Sequence, residues 1–168
     1  MKTKGFYSKP VAMSSLDDTW TTPRDFFNKV NDEFGFTLDA AALQSSALCD
    51  KWYGPDHPED SRKDAFKNDW SGDAGDGAIW LNPPYGKTIR EWMAKAKFEA
   101  LSGGGIVVSL VPSRTDTRWF HESCLGFEIR LIKGRLKFGN SPDAAPFPSA
   151  LIVMSRETWN SKQNLTSF

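Results

Sequence analysis

The chain is poor in the features that mark secreted, membrane-spanning and metal-binding proteins. Its 168 residues include only two cysteines, Cys49 and Cys124, which have neither a CxxC nor a His-bearing metal spacing. The two histidines, His57 and His121, are isolated in sequence. No run of about 18 apolar residues is present, and the start lacks an apolar signal segment. We therefore expect a cytoplasmic protein with reduced thiols and no metal.

Net charge is also absent, because 21 Lys and Arg balance 21 Asp and Glu. This balance argues against a non-specific nucleic-acid coat protein but leaves a DNA enzyme open, since a local basic face is enough for phosphate contacts. A hydrophobic content of 39% with 25% charged residues is that of a globular domain. We predict one domain over residues 19–158, between a flexible arm, 1–18, and a tail, 159–168.

Apolar patterning predicts an α/β fold. Helix signals run from an N-cap at Thr22 to Gly35, and again over 88–101 and 117–124. Apolar strand runs occupy 36–38, 78–81, 106–111, 127–132 and 150–154, and residues 134–138 alternate like a further strand. Residues 127–154 leave no room for a helical crossover, so they are expected as antiparallel strands. The prediction is a Rossmann-like, doubly wound, mostly parallel sheet with an antiparallel edge.

The strand at 78–81 ends abruptly in Asn82-Pro83-Pro84-Tyr85. The prolines fix their own φ and cannot donate to a ladder, and the residue before a proline is pushed to extended geometry. The resulting stiff turn offers the Asn82 amide oxygen, backbone carbonyls and the flat ring of Tyr85. This set suits a planar substrate with an exocyclic amine, whose two N–H groups the oxygens accept. The alternative is a proline-stiffened loop after a core strand.

This tetrapeptide resembles the catalytic motif of methyltransferases that act on adenine N6, cytosine N4 or a protein glutamine. Together with other segments in order, it resembles the phage-type DNA N6-adenine methyltransferase (Dam-like) family over roughly residues 19–155. Those segments are 20–23, 38–42, 64–66 with Trp70, 110–117, 134–138 and 145–150. The resemblance implies the S-adenosylmethionine-dependent methyltransferase fold, S-adenosylmethionine as cofactor and double-stranded DNA as partner. It also implies a phage protein that guards DNA against restriction.

Asp39 is the first candidate for binding the cofactor. It ends the first strand, at the edge where open α/β sheets bind ligands, and Ala40 and Ala41 after it permit close approach to the backbone. A carboxylate there accepts hydrogen bonds from the amino group of the cofactor's methionine moiety. Capping of a following helix is the alternative, and the resemblance favours cofactor binding. The chain lacks the Gly-x-Gly turn that many methyltransferases carry at this point.

The resemblance implies further site residues. Thr22 corresponds to a threonine near the methionine end of the cofactor, although an N-cap alone would explain it. Asp64, followed by Phe66, corresponds to the acid that contacts the cofactor's adenine, and a solvated loop acid is the alternative. Six basic residues near the strand ends are candidates for DNA contact, each equally explained as a surface charge: Lys87, Arg90, Arg114, Arg118, Arg135 and Lys137.

These residues predict methyl transfer to N6 of an adenine flipped out of the duplex. Tyr85 stacks on the base, while the Asn82 oxygen and the Pro83 carbonyl accept from the two N6 hydrogens. Asn82 is not a base; it orients N6 and stabilises the positive charge that develops there. Two alternatives remain open: a methyltransferase acting on RNA or a protein glutamine, and a non-catalytic DNA-binding module. No pattern predicts the target sequence or the oligomeric state.

Overall fold

A computed structural model describes residues 20–139 and 141–159. The predicted arm, 1–18, lies outside the described residues, as do residues 160–168 of the predicted tail. Within these ranges the four α-helices are α1 (Arg24–Phe34), α2 (Trp70–Ala74), α3 (Ile89–Phe98) and α4 (Arg118–Ser123). Six strands are β1 (Phe36–Asp39), β2 (Lys51–Trp52), β3 (Ala78–Leu81), β4 (Val107–Pro112), β5 (Glu128–Leu131) and β6 (Ser149–Met154). None of the helices in this described part is long and apolar enough to cross a membrane.

The strands form one sheet in the order β2-β1-β3-β4-β6-β5. The first four are parallel, whereas β6 runs antiparallel to both of its neighbours. The predicted fold class, a mostly parallel sheet with an antiparallel edge, is therefore confirmed. Strand β2 and helix α2 were not predicted. β2 has only two residues, too few for a pattern, and α2 contains Ser71-Gly72-Asp73, which are poor helix formers.

Helices cover both faces of the sheet, so the central strands are buried on both sides. On one face, Phe27 and Val30 of α1 pack with Trp80 of β3. On the other, Trp92 and Met93 of α3 belong to a second cluster with α2, α4 and the alternate strand residues. Every residue of β3, β4 and β6 is buried. Two-sided burial explains why these strands are continuous apolar runs rather than alternating ones.

The structure corrects the predicted start of α1. The helix begins at Arg24 after Pro23, and no side chain caps it. The expected N-cap at Thr22 is therefore wrong, because the Thr22 hydroxyl is hydrogen-bonded to Asn82 instead. The other end is as predicted: Gly35 adopts a left-handed φ of 66° and donates its N–H to the Asn31 carbonyl.

Residues 134–138 are not a strand, which corrects a second prediction. The segment is held by isolated backbone bonds: the Ala145 N–H donates to the Leu136 carbonyl at 2.8 Å, and the Gly139 N–H donates to the Thr21 carbonyl at 2.7 Å. Its alternation arises because Leu136 and Phe138 pack onto the α1 side of the sheet while Lys137 is exposed. The pattern reflected burial of one side of a loop rather than pairing with a neighbouring strand.

The strand directions gather several loops at one edge of the sheet. Because β1, β3 and β4 are parallel, the residues that follow them meet at their carboxyl edge. Pro112 of β4 is paired with Ser149, the first residue of β6, and Leu131 at the end of β5 is paired with Ala150. The connection 132–148 therefore lies at the same edge. Asp39 at the end of β1 and Asn82 after β3 therefore both lie at this edge.

The loop after β1, which contains Ala42, and the loop after β2, which contains Gly54, approach each other closely at this edge. A Cβ at Gly54 would lie 1.8 Å from the Ala42 carbonyl oxygen, whereas a Cβ at Gly35 would meet nothing within 4 Å. Gly35→Ala should cost about 1 kcal/mol of unfolding free energy, from its left-handed φ alone. Gly54→Ala should cost about 2 kcal/mol or more, because backbone must shift. Urea unfolding measures both, and equal losses would contradict the close approach.

Candidate active site

A cavity of about 90 Å³ opens at the carboxyl edge, between the chain before α1 and the turns that follow β1 and β3. Ligand pockets are typically roughly 300–1,000 Å³. A ligand that fills a pocket of ordinary volume is larger than this cavity, so it would also extend over the open surface beside it. Among the described residues, no group of three His, Cys, Asp or Glu side chains is arranged to hold a metal ion.

Six of the ten predicted catalytic and cofactor-binding residues line this cavity. Its lining includes Thr22, Asp39, Ala41, Asn82, Pro83 and Pro84. Ala40 is fully buried, and its N–H donates to the Trp80 carbonyl, which ties the turn after β1 to β3. The parallel pairing of β1 with β3 thus brings Asp39 and Asn82 to one cavity, although about 43 positions separate them in the sequence.

Asp39 is a buried carboxylate, 2% exposed, at the end of β1. Its Oδ1 accepts the Ala41 N–H at 3.3 Å and its Oδ2 accepts the Leu48 N–H at 3.1 Å. Burial raises the pKa of Asp39 from 3.8 to about 6, against the lowering effect of these two bonds and of Arg24. No helix follows β1 directly, so Asp39 does not cap one. A cationic ligand group would relieve the cost of its ionised form.

The Asn82 amide has one end engaged and one end free. Its Nδ2 donates to the Trp20 carbonyl oxygen and to Thr22 Oγ1, the latter at 3.0 Å. Its Oδ1 is buried and has no hydrogen-bond partner among the described residues. A buried acceptor without a partner is costly, by roughly 1–3 kcal/mol. The orphaned oxygen therefore requires an explanation, and a ligand's N–H is a chemically sufficient one.

Tyr85 lies beside the cavity rather than in its lining. Its hydroxyl donates to the Leu110 carbonyl at 3.1 Å, and burial raises its pKa well above 10, so the phenol is neutral. Its ring makes edge-type contacts with Phe138 and Phe147, at centroid distances of 6.1 and 5.5 Å. Both phenylalanines belong to the 132–148 connection and its aromatic packing.

Asp64 and Phe66 do not line the cavity. The Asp64 carboxylate accepts the Phe66 N–H at 3.0 Å and so caps a short 3₁₀ helix, Ala65–Lys67. It also lies 3.5 Å from the Lys67 ammonium. The Phe66 ring packs on Trp92 of α3, with centroids 4.6 Å apart. Their contact with a cofactor's adenine remains a prediction.

The predicted DNA-binding residues lie near the carboxyl edge and are exposed. Arg90 in the first turn of α3 pairs with Glu122, with Nη2 and Oε2 3.2 Å apart. Arg135 donates to the Ala145 carbonyl at 3.4 Å. The remaining four are exposed basic residues on loops or at the start of α4: Lys87, Arg114, Arg118 and Lys137. Contact with DNA remains a prediction for all six.

Sequence reasoning missed two groups in the site, and both are backbone groups. The Trp20 carbonyl holds Asn82, and the Leu48 amide holds Asp39. Neither depends on the identity of its own side chain, so the sequence contained no signal for them. The loop 43–48, which folds back over Asp39 at the cavity, lies in a segment whose polar pattern indicated only irregular structure.

The sheet order, the acid at the end of β1 and the Asn-Pro-Pro-Tyr turn after β3 together are those of an S-adenosylmethionine-dependent methyltransferase fold. The model of the family "DNA N-6-adenine-methyltransferase (Dam)" matches residues 10–167. The chain belongs to this family, as its sequence predicted. A relative from Escherichia phage T1, named DNA N-6-adenine-methyltransferase, is 28% identical over 110 residues. That alignment covers 65% of this chain and 42% of the relative, so it spans less than half of the relative's length.

The raised pKa of Asp39 predicts a specific pH dependence of stability. The folded protein binds the Asp39 proton more tightly than the unfolded chain does, so this group stabilises the fold below pH 4 and loses that contribution as pH rises through about 6. The loss should reach about 3 kcal/mol.

The measurement is the unfolding free energy of wild type minus that of Asp39→Asn, taken from pH 4 to pH 7. Any constant effect of the substitution cancels in the slope of this difference, which should be negative. A flat difference would contradict the assignment, as would an Asp39 carboxyl ¹³C resonance that titrates near pH 3.8.

Proposed function

We propose that the protein transfers a methyl group from S-adenosylmethionine to N6 of an adenine flipped out of duplex DNA. The observation that carries this proposal is the buried, unpartnered Oδ1 of Asn82 at the start of a rigid Pro-Pro turn. An exocyclic amine supplies the N–H donor that this oxygen lacks. Membership of the Dam family supports adenine as the base.

The cavity residues fit the methionine end of the cofactor. Asp39 offers a buried carboxylate for its ammonium group, and the small side chain of Ala41 leaves room beside it. Thr22 borders the same space, and Asp64 with Phe66 is proposed for the adenine end. When bound, the cofactor supplies a methyl group on a positively charged sulfur. The neutral thioether is the leaving group, so methyl transfer needs no metal to activate it.

The acceptor side depends on the turn after β3. The Asn82 Oδ1 and the Pro83 carbonyl accept the two N6 hydrogens and draw the nitrogen lone pair out of conjugation with the ring. With the cofactor bound, N6 would form a bond to the methyl carbon as the carbon–sulfur bond breaks, and N6 would become positively charged. The two oxygens stabilise that charge, and the extra proton then leaves N6 for water. Tyr85 stacks on the extruded base, which keeps it in the site.

DNA would approach the carboxyl edge, where the exposed basic residues are grouped. Lys87, Arg114 and Lys137 come from three different loops of this edge, so together they can contact a curved backbone. Because the formal charge of the chain is zero, this local grouping rather than overall charge would attract the phosphates. RNA or a protein glutamine as acceptor, or binding without catalysis, are the outcomes that would replace this proposal.

Asn82→Ala should slow methyl transfer severely. Loss of one positioned hydrogen-bonding group in an active site costs roughly 10²–10³-fold in rate, and we expect a loss of that size or larger. The assay is transfer of labelled methyl groups to duplex DNA, RNA and protein offered in parallel, followed by sequencing that detects N6-methyladenine. Asn28→Ala, an exposed asparagine on α1, is the matched control and should retain activity. Methylation confined to RNA or protein, or undiminished transfer by Asn82→Ala, would overturn the proposal.

Cofactor affinity should depend on the ionisation of Asp39. Since the ammonium group binds the carboxylate, affinity should fall about tenfold per unit below pH 6 and level off above it. Calorimetry from pH 5 to pH 8 measures this, and at pH 5.5 two buffers of different ionisation enthalpy should reveal proton release on binding. Asp39→Asn should bind weakly with no such pH dependence. A pH-independent affinity of the wild type would exclude Asp39 as the ammonium ligand.

A further inference from the structure

The proposed use of Asn82 raises a problem of orientation. A side-chain amide has an acceptor oxygen at one end and a donor NH₂ at the other, and rotation about χ2 exchanges them. Only the oxygen end can accept from an adenine N6 hydrogen. An amide free to rotate would present its NH₂ group to the substrate part of the time, and donor would then face donor.

The contacts of Asn82 resolve this ambiguity. The Trp20 carbonyl has no proton and can only accept, so the amide end that faces it must be the nitrogen. The Thr22 hydroxyl accepts from the same nitrogen at 3.0 Å. With Nδ2 occupied twice, Oδ1 is necessarily the unoccupied end, and it is the atom without a partner.

We infer that the Trp20 carbonyl and the Thr22 hydroxyl form a clamp that fixes the Asn82 amide with its oxygen available to the substrate. In this inference, which rests on the proposed function, Thr22 is a positioning residue that acts on methyl transfer through Asn82. The hydroxyl is available for this purpose because α1 begins without a side-chain cap.

The clamp is itself held in place. Pro23 restricts the residue before it, Thr22, to extended geometry. The Thr21 carbonyl accepts the Gly139 N–H at 2.7 Å. The Trp20 ring makes edge-type contacts with Phe138 and Phe147, at centroid distances of 5.5 and 5.2 Å. The 132–148 connection thus holds in place the segment 20–22, which in turn holds the Asn82 amide.

A clamp predicts different kinetics from a direct cofactor contact. If Thr22 mainly bound the cofactor, its loss would weaken cofactor affinity and leave the rate at saturation unchanged. If it orients Asn82, its loss slows the chemical step at saturating cofactor and DNA and leaves cofactor affinity unchanged. Both properties can be measured separately on the same variants.

The test compares Thr22→Val, which is nearly isosteric but has no hydroxyl, with Thr22→Ser, which keeps it. Single-turnover methyl transfer at saturation should slow roughly ten- to hundredfold in Thr22→Val. Thr22→Ser should restore the rate to within about threefold of wild type. Thr37→Val is the matched control: its hydroxyl donates to the Ala74 carbonyl at 2.8 Å, at the other end of β1. It loses one hydrogen bond as well but should keep the wild-type rate.

A second measurement does not depend on activity. The Asn82 side-chain NH₂ resonances, assigned in ¹⁵N-labelled protein by their loss in Asn82→Ala, should shift and exchange faster with solvent in Thr22→Val but not in Thr37→Val. Unchanged resonances would overturn the clamp. A wild-type transfer rate in Thr22→Val, or weaker cofactor binding with an unchanged saturated rate, would also overturn it. If wild-type protein methylates no DNA, the proposed function fails, and the resonances alone decide whether the clamp exists.

Discussion

The structure depends on the way β3 ends. This central strand is buried on both faces, pairs with β1 and β4, and is followed, after Asn82, by two prolines that can donate no ladder hydrogen bond. The strand cannot extend, and the chain must leave the sheet rigidly at Asn82. The acid at the end of β1, the segment before α1 and the loop before β6 are all arranged around this fixed point.

Buried polar groups occur both in the scaffold and at the site. Glu99 is buried, and both of its carboxylate oxygens are engaged: one pairs with the Lys95 ammonium, and the other accepts from the Ser71 N–H and hydroxyl. The Asp39 carboxyl group and the Oδ1 atom of Asn82 are also buried, yet the carboxyl group has a raised pKa and the Oδ1 atom has no hydrogen-bond partner among the described residues. Buried atoms without a partner in the described part of the chain also occur in core residues such as Trp92 and Ser109, so what sets Asp39 and Asn82 apart is that both line the cavity at the carboxyl edge.

Sequence reasoning succeeded where the pattern was long or chemically rigid. Strand β3 was predicted with its observed bounds, and Asn82 and Asp39 were placed at strand ends that do meet. It failed where tertiary contacts outweighed local preference. Thr22 followed by Pro23 is a standard helix start, yet the hydroxyl bonds to Asn82 because β3 brings that amide within reach. Residues 134–138 alternate like a strand, yet they pair with none of the six described strands, and Leu136 and Phe138 pack on the α1 side of the sheet instead.

The antiparallel direction of β6 determines on which edge of the sheet the connection between β5 and β6 lies. Had β6 run parallel to β4, the chain between β5 and β6 would have been needed as a crossover to the opposite edge of the sheet. Because β6 is antiparallel, that connection returns to the carboxyl edge and contacts both Trp20 and Tyr85 through Phe138 and Phe147. One inverted strand thereby supports two residues of the site region, Trp20 and Tyr85, from behind, with no crossover helix among the described residues between β5 and β6.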